Sequence, residues 1–188
     1  MPLLGTVASQ FSSKPFGSFE SIQTVNVTPN TYSVDFTSIP QTYKHLQIRG
    51  IAKETTSAGP QTLDMFIKFN SSSSGYKSHY LSGNGTSATA GVASGNNAFY
   101  CYGASYREVS ATSTFGVSII DIHDYASTTK NKTARAFAGC NFNSASTDQY
   151  FGLSSGFWAD TSAITSIVIT PNDTFKENTT FALYGIKG

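Results

Sequence analysis

The feature that most constrains this chain is a two-residue hydrophobic alternation that recurs along it without any helical period. In "TYSVDF", Tyr32, Val34 and Phe36 alternate with Thr31, Ser33 and Asp35. In "LDMFIKF", Leu63, Met65, Ile67 and Phe69 alternate with Asp64, Phe66 and Lys68, and "YKHLQIRG" sets Leu46 and Ile48 against His45, Gln47 and Arg49. Successive side chains of an extended strand point to opposite faces, so these runs describe strands with one face on a core. No window of about eleven residues or more carries apolar groups at i, i+3, i+4 and i+7, which leaves helices short or absent.

In "TFGVSIIDI" the alternation directs Phe115, Val117 and Ile119 inward and then changes phase at Ile120 and Ile122, implying a bulge or two covered faces. "SIVI" and "TFALYGI" read as two closing strands, with "TPND" between them. "SIPQTY", "NSSSSG", "SGNG" and "ASGNN" are turn signals, and residues 82–98 read as a long loop of low hydrophobicity. Composition agrees: charged residues are only 12% and aromatics 13%, with Ser, Thr, Asn and Gly abundant and the helix formers scarce. About eight to ten short strands predict an all-β fold, a single antiparallel β-sandwich of jelly-roll type. The sandwich is assigned to residues 19–188 and an extended N-terminal arm to residues 1–18. Phe11, Phe16 and Phe19 are large apolar groups at that end, and each gains about 1.5–3 kcal/mol on burial. Either the arm lies across its own domain or it docks into a partner, and the three are candidate partner-docking residues.

Several function classes are disfavoured. The formal net charge is +1 with the basic residues scattered, unlike the patch or stripe of a nucleic-acid binder. The opening "MPLLGTVASQF" lacks a charged region before its short apolar stretch, and no run approaches the ~18 apolar residues of a membrane span. The expectation is a soluble chain made in a cytoplasm, neither exported nor inserted in a membrane. Cys101 and Cys140 read as small buried residues rather than a disulfide, and they match no metal spacing.

The chemistry-bearing candidates are few. Gly152, Ser154 and Gly156 in "GLSSG" fit G-x-S-x-G, which carries a nucleophilic serine when it sits on a sharp turn from strand to helix. Phe157 and Trp158 follow and nothing helical does, so the match is read as strand, with Ile164, Ile167 and Ile169 in the next strand of the core. "DIHDY" places Asp121 and His123 on one strand face, with Asp124 starting a turn, but two or three such groups are too few for a closed metal site. His45 and His79 are isolated, the glutamates are dispersed, and the glycine-rich loops lack the residues of a phosphate-binding motif. No catalytic residue, cofactor or metal is assigned.

Binding remains. Tyr76, Tyr80, Tyr100, Tyr102 and Tyr106, with Phe99 and Tyr150, flank Asn- and Ser-rich turns. Rings beside amides and hydroxyls can hold a sugar, so the five tyrosines are candidate glycan-facing aromatics, against the commoner role of core or interface packing.

Long blocks of the chain are similar to one family. "MPLLGTVASQFSSKPFGSFESI", "FTSIPQTYKHLQIRG", "FNSSSSGYKSHYLSGNG", "GLSSGFWADTSAITSI" and the ending "FALYGIKG" carry the likeness over nearly the whole length. The chain resembles a family of small proteins of tailed bacteriophages, especially phages of marine bacteria and cyanobacteria, called virion structural, tail or fibre-like proteins. The resemblance implies a non-enzymatic virion component on the particle exterior, a capsid decoration or a tail-fibre-like protein. Its partners would be other virion proteins, met through the N-terminal arm, and it would be a homo-oligomer such as a trimer. A host-surface carbohydrate-binding module of a phage tail is the alternative.

Overall fold

The computed structural model describes residues 18–55, 61–93, 95–107, 114–140 and 150–188. These residues hold thirteen strands and no helix. In chain order they are β1 (Phe19–Asn26), β2 (Val34–Phe36), β3 (His45–Thr55), β4 (Gln61–Phe69), β5 (Tyr76–Gly83), β6 (Ala88–Val92) and β7 (Phe99–Arg107). There follow β8 (Gly116–His123), β9 (Lys132–Cys140), β10 (Tyr150–Trp158), β11 (Ile167–Thr170), β12 (Thr174–Phe175) and β13 (Thr180–Ile186).

The strands form two sheets. The larger runs β1-β13-β3-β8-β9-β10-β5-β6 and is antiparallel throughout. The smaller runs β2-β11-β4-β7, also antiparallel. Strand β3 joins them: its first eight residues lie between β13 and β8, while Lys53 and Glu54 pair in parallel with Tyr106 and Arg107 of β7, and β12 covers the same end. Its burial alternates as far as Ile51 and then becomes continuous from Ala52 to Glu54. That change marks the point where the strand leaves a half-solvated sheet and is covered on both sides. An all-β fold of two antiparallel sheets is what the period-two alternation predicts.

The core lies between the sheets. Leu46 and Ile48 of β3, Met65, Ile67 and Phe69 of β4, and Ile167 and Ile169 of β11 are all buried on the faces their alternation assigns. Tyr76 stacks on Trp158 with ring centroids 6.0 Å apart, and its hydroxyl accepts the Phe69 N–H at 2.7 Å. The Lys132 ammonium is buried too, and it donates to the carbonyls of Ser127, Lys130 and Thr161 at 2.7–2.9 Å.

Three local expectations need correction. Residues 82–98 are not one loop: Asn84 and Gly85 make a tight turn, with Gly85 at φ +87°, and β6 returns antiparallel along β5. The Asn84 side chain accepts the N–H groups of Thr86 and Ser87, which fixes that turn. In β8 there is no change of phase, and its register with β3 and β9 is continuous. The buried set is Gly116, Ser118, Ile120 and Ile122, so Val117 and Ile119 point outward. Finally, thirteen strands rather than eight to ten lie among the described residues, the first beginning at Phe19, which pairs with Ile186.

Candidate functional site

Strands β9 and β10 lie at the middle of the larger sheet, and their two faces differ sharply. On the inner face Ala134, Ala136 and Ala138 stand opposite Gly156, Ser154 and Gly152. This lane of small residues lets β7 lie close against both strands. A Cβ added at Gly152 would come within 2.9 Å of the Tyr102 carbonyl oxygen, and one at Gly156 would collide with the Lys77 carbonyl. The backbone of β7 is tied down by serine hydroxyls of the other sheet. Tyr100 N–H donates to Ser78 Oγ at 3.2 Å, and Tyr102 N–H to Ser154 Oγ at 3.0 Å.

Ser154 therefore sits in mid-strand, paired on both sides by β5 and β9, with its buried hydroxyl engaged by a backbone amide. His79 pairs in register with Ser155, whose side chain is on the opposite face from Ser154. Among the described residues, the sharp turn, the following helix and the adjacent base that a nucleophilic serine needs are not around it.

The "DIHDY" groups are likewise engaged with protein partners. Asp121 accepts from Gln47 at 2.8 Å and from Arg135 at 3.1 Å. Asp124, at φ +49°, binds Lys130 at 2.8 Å and Lys44 at 3.2 Å. His123 meets the His45 ring edge-on at 5.0 Å, and His45 Nδ1 accepts the Asp124 N–H at 3.0 Å. Burial, with the neighbouring His123, lowers the pKa of His45. Among the described residues no group of three His, Cys, Asp or Glu is placed to hold a metal ion.

The five candidate glycan-facing tyrosines do not form one exposed platform. Tyr76 is fully buried in the core, because its ring completes the Phe69–Trp158 cluster, so it is not available to a ligand. Tyr80 and Tyr102 stack on each other at 4.2 Å, and Tyr150 meets Tyr102 edge-on at 6.1 Å. Tyr100 packs edge-on against Phe66 at 4.7 Å, and burial raises the pKa of both the Tyr100 and Tyr102 hydroxyls. The side chain of Tyr106 lies outside the described residues, as do Phe11 and Phe16. Phe19 is half-exposed, with the Arg49 guanidinium 5.8 Å from its ring centroid.

The outer face of the larger sheet is the feature that sequence reasoning missed. Large apolar side chains stand on it in rows set by the strand register. Ile119, Phe137, Leu153 and Leu81 are consecutive across β8, β9, β10 and β5. In the next row lie Ile51, Val117 and Phe151, with Gly139 as a hollow between Val117 and Phe151 and Gly83 under the Phe151 ring at the end. Phe157 and Val92 extend the apolar area towards the other end. These nine residues are between 41% and 75% exposed. A row of polar groups crosses the face: Arg49 donates to Gln47, Gln47 to Asp121, and Arg135 to Asp121. Shallow grooves follow the rows, one of about 650 Å³ over Leu81, Ile119, Phe137 and Leu153 and one of about 250 Å³ at Gly139.

No protein-family model matches this chain, and no curated protein does. The fold and the chemistry of the face are the ground for a functional reading. A signal for the face was present in the sequence of β10, where the inward positions are Gly152, Ser154 and Gly156 and the alternate ones are Phe151, Leu153 and Phe157. A strand with its small residues on one side and its bulk on the other has two faces to cover.

Proposed function

We propose that the protein is a non-enzymatic structural component of a bacteriophage virion, an exterior β-sandwich module attached to capsid or tail. The observation that carries the reading is the apolar outer face of the larger sheet. Exposed apolar patches on monomers seldom exceed roughly 300–600 Å², and larger ones mark surfaces made to be covered. A chain whose Ser154, Asp121 and Asp124 are engaged in its own fold, and which exposes an apolar sheet face, is suited to assembly. The phage resemblance supplies the setting, with residues 1–18 as the arm that meets a capsid or tail partner.

A jelly-roll description of the sandwich belongs to the same reading. Early strands pair with late ones, β1 with β13, β2 and β4 with β11, and β5 with β10, as when a long hairpin is wrapped over itself. The carbohydrate-binding alternative receives less support, since Tyr80, Tyr100 and Tyr102 pack against other rings of the protein.

The test is location. Purified particles of the phage that encodes this chain should carry it in many copies, reachable by antibody before the particles are disrupted. Its absence from washed particles, or antibody access only after disruption, overturns the reading.

A further inference from the structure

We infer that the apolar face formed by β8, β9, β10 and β5, with Ile51 of β3 and Val92 of β6 at its margins, is where two copies of this chain meet, each face packed on the same face of the other. The inference rests on the structural reading above and names the occupant of its assembly surface.

Area is the first ground. The nine half-exposed or exposed residues leave on the order of 800–900 Å² of apolar side chain bare, taking roughly 150–250 Å² for each full aromatic group and somewhat less for each aliphatic one. A stable complex covers about 800 Å² on each partner, so this face is sufficient for one and exceeds what a lone chain ordinarily leaves to water.

Charge is the second ground, because it selects among partners. Asp121 and Arg135 face out from the middle of the surface and are bonded to each other at 3.1 Å. Gln47 occupies the remaining Asp121 oxygen at 2.8 Å. Arg49, beside Ile119 in the register, and Lys77, beside Phe157, are exposed cations at the margins of the face, so its centre holds one neutralised pair and its rim is positive. A two-fold contact places each patch on its own duplicate, so its centre has to be neutral, as the Asp121–Arg135 pair leaves it, with Arg49 and Lys77 kept at the solvated rim.

Shape is the third. The Phe151 ring lies over Gly83, where an added Cβ would come within 2.7 Å of it. Gly139, the residue between Val117 and Phe151 in the register, leaves the hollow of about 250 Å³ bounded by Val117, Ile119, Phe137 and Phe151. Two projecting rings, Phe137 and Phe151, thus flank one ring-sized hollow on this surface. A two-fold axis near Phe137 and Leu153 sets a ring of one copy against the hollow of the other, as two sheets stacked about 10 Å apart do inside a sandwich.

The experiment is sedimentation velocity on the full chain over a concentration series. Expected is a species of twice the 20.1 kDa chain mass, with a melting temperature that rises with protein concentration. Phe137→Asp and Leu153→Asp, each setting a charge in the centre of the contact, should weaken dimerisation by at least about 30-fold, as loss of a central anchor does. Far-UV circular dichroism should be unchanged in both, since these side chains are outside the core, and Phe137→Ser and Leu153→Ser replace any aspartate variant that does not fold. Tyr32→Asp, at an exposed position of the chain away from this face, should leave the dimer intact. A wild-type chain that stays monomeric throughout, including one whose face is covered by its own first seventeen residues, overturns the inference. So does a dimer that persists in all the folded face variants. Failure of the virion reading is separate, being the absence of the protein from purified particles.

Discussion

Ser154→Ala distinguishes a structural hydroxyl from a reactive one. In the folded chain Ser154 Oγ accepts the Tyr102 N–H at 3.0 Å, and Ser154 is only 4% exposed. Alanine fits the same space but leaves the part-buried Tyr102 amide without this acceptor, next to the tightly packed lane of Gly152, Gly156 and the β9 alanines. An orphaned buried donor costs about 1–3 kcal/mol. For a chain of this size each kcal/mol moves the melting temperature by roughly 2–4 °C, so the expected fall is about 2–12 °C. Ser78→Ala, which strands the Tyr100 N–H, should show a loss of similar size. Ser155→Ala is the control, since its side chain faces outward from the same strand, and it should stay within about 0.5 kcal/mol of wild type. Urea and thermal unfolding of the three variants provide the measurement. If Ser154→Ala is as stable as Ser155→Ala, the hydroxyl does not anchor β7 and the packing account of the motif is wrong.

Two further outcomes follow from the titratable groups. Hydrogen bonds from Lys130 and then Lys44 hold the Asp124 carboxyl down to about 2, against an ordinary value of 3.8. Its stabilising contribution is therefore complete above the unfolded value and is lost as pH falls through about 2, so the difference in urea midpoint between wild type and Asp124→Asn should be present near neutrality and close between pH 3.8 and about 2. A difference that does not depend on pH across that window would refute it. Cys101 and Cys140 are both buried and unpaired, and burial pushes both thiols up, that of Cys140 to about 11. Native protein at neutral pH should resist a thiol reagent while denatured protein reacts at two positions; rapid labelling of the native chain would contradict the burial.

Much of the fold was legible because alternation is a local property. Val34 and Phe36, Leu46 and Ile48, and Met65, Ile67 and Phe69 are buried as their spacing requires. The serine of "GLSSG" was legible as strand because nothing helical follows it, and β10 does run through it. Strand β6 was missed because "ATAGV" has small residues and little strand preference; pairing with β5 holds it in place. The alternation groups Tyr32 with Val34 and Phe36, yet Tyr32 is 75% exposed, since β2 begins only at Val34 and the alternation does not extend before the pairing does. Tyr76 looked like a surface ring beside a turn, and only the distant approach of Trp158 makes it core.

The candidate surface was harder to read, for a reason that β8 shows. Both alternating sets of "GVSIIDI" contain apolar residues, so the period identifies a strand without identifying its inner side. The pairing of Ile120 and Ile122 with Ile48 and Leu46 on one flank and with Ala136 and Ala134 on the other decides it, leaving Val117 and Ile119 outside. The sequence by itself determined that this chain is built of strands, where most of them run, and that bulky and small residues segregate along β10. Only the tertiary structure decided which side of each strand is the interior, because that depends on residues from far apart in the chain packing against one another. It is this choice that gathers Phe137, Leu153, Ile119 and Leu81 into one exposed row.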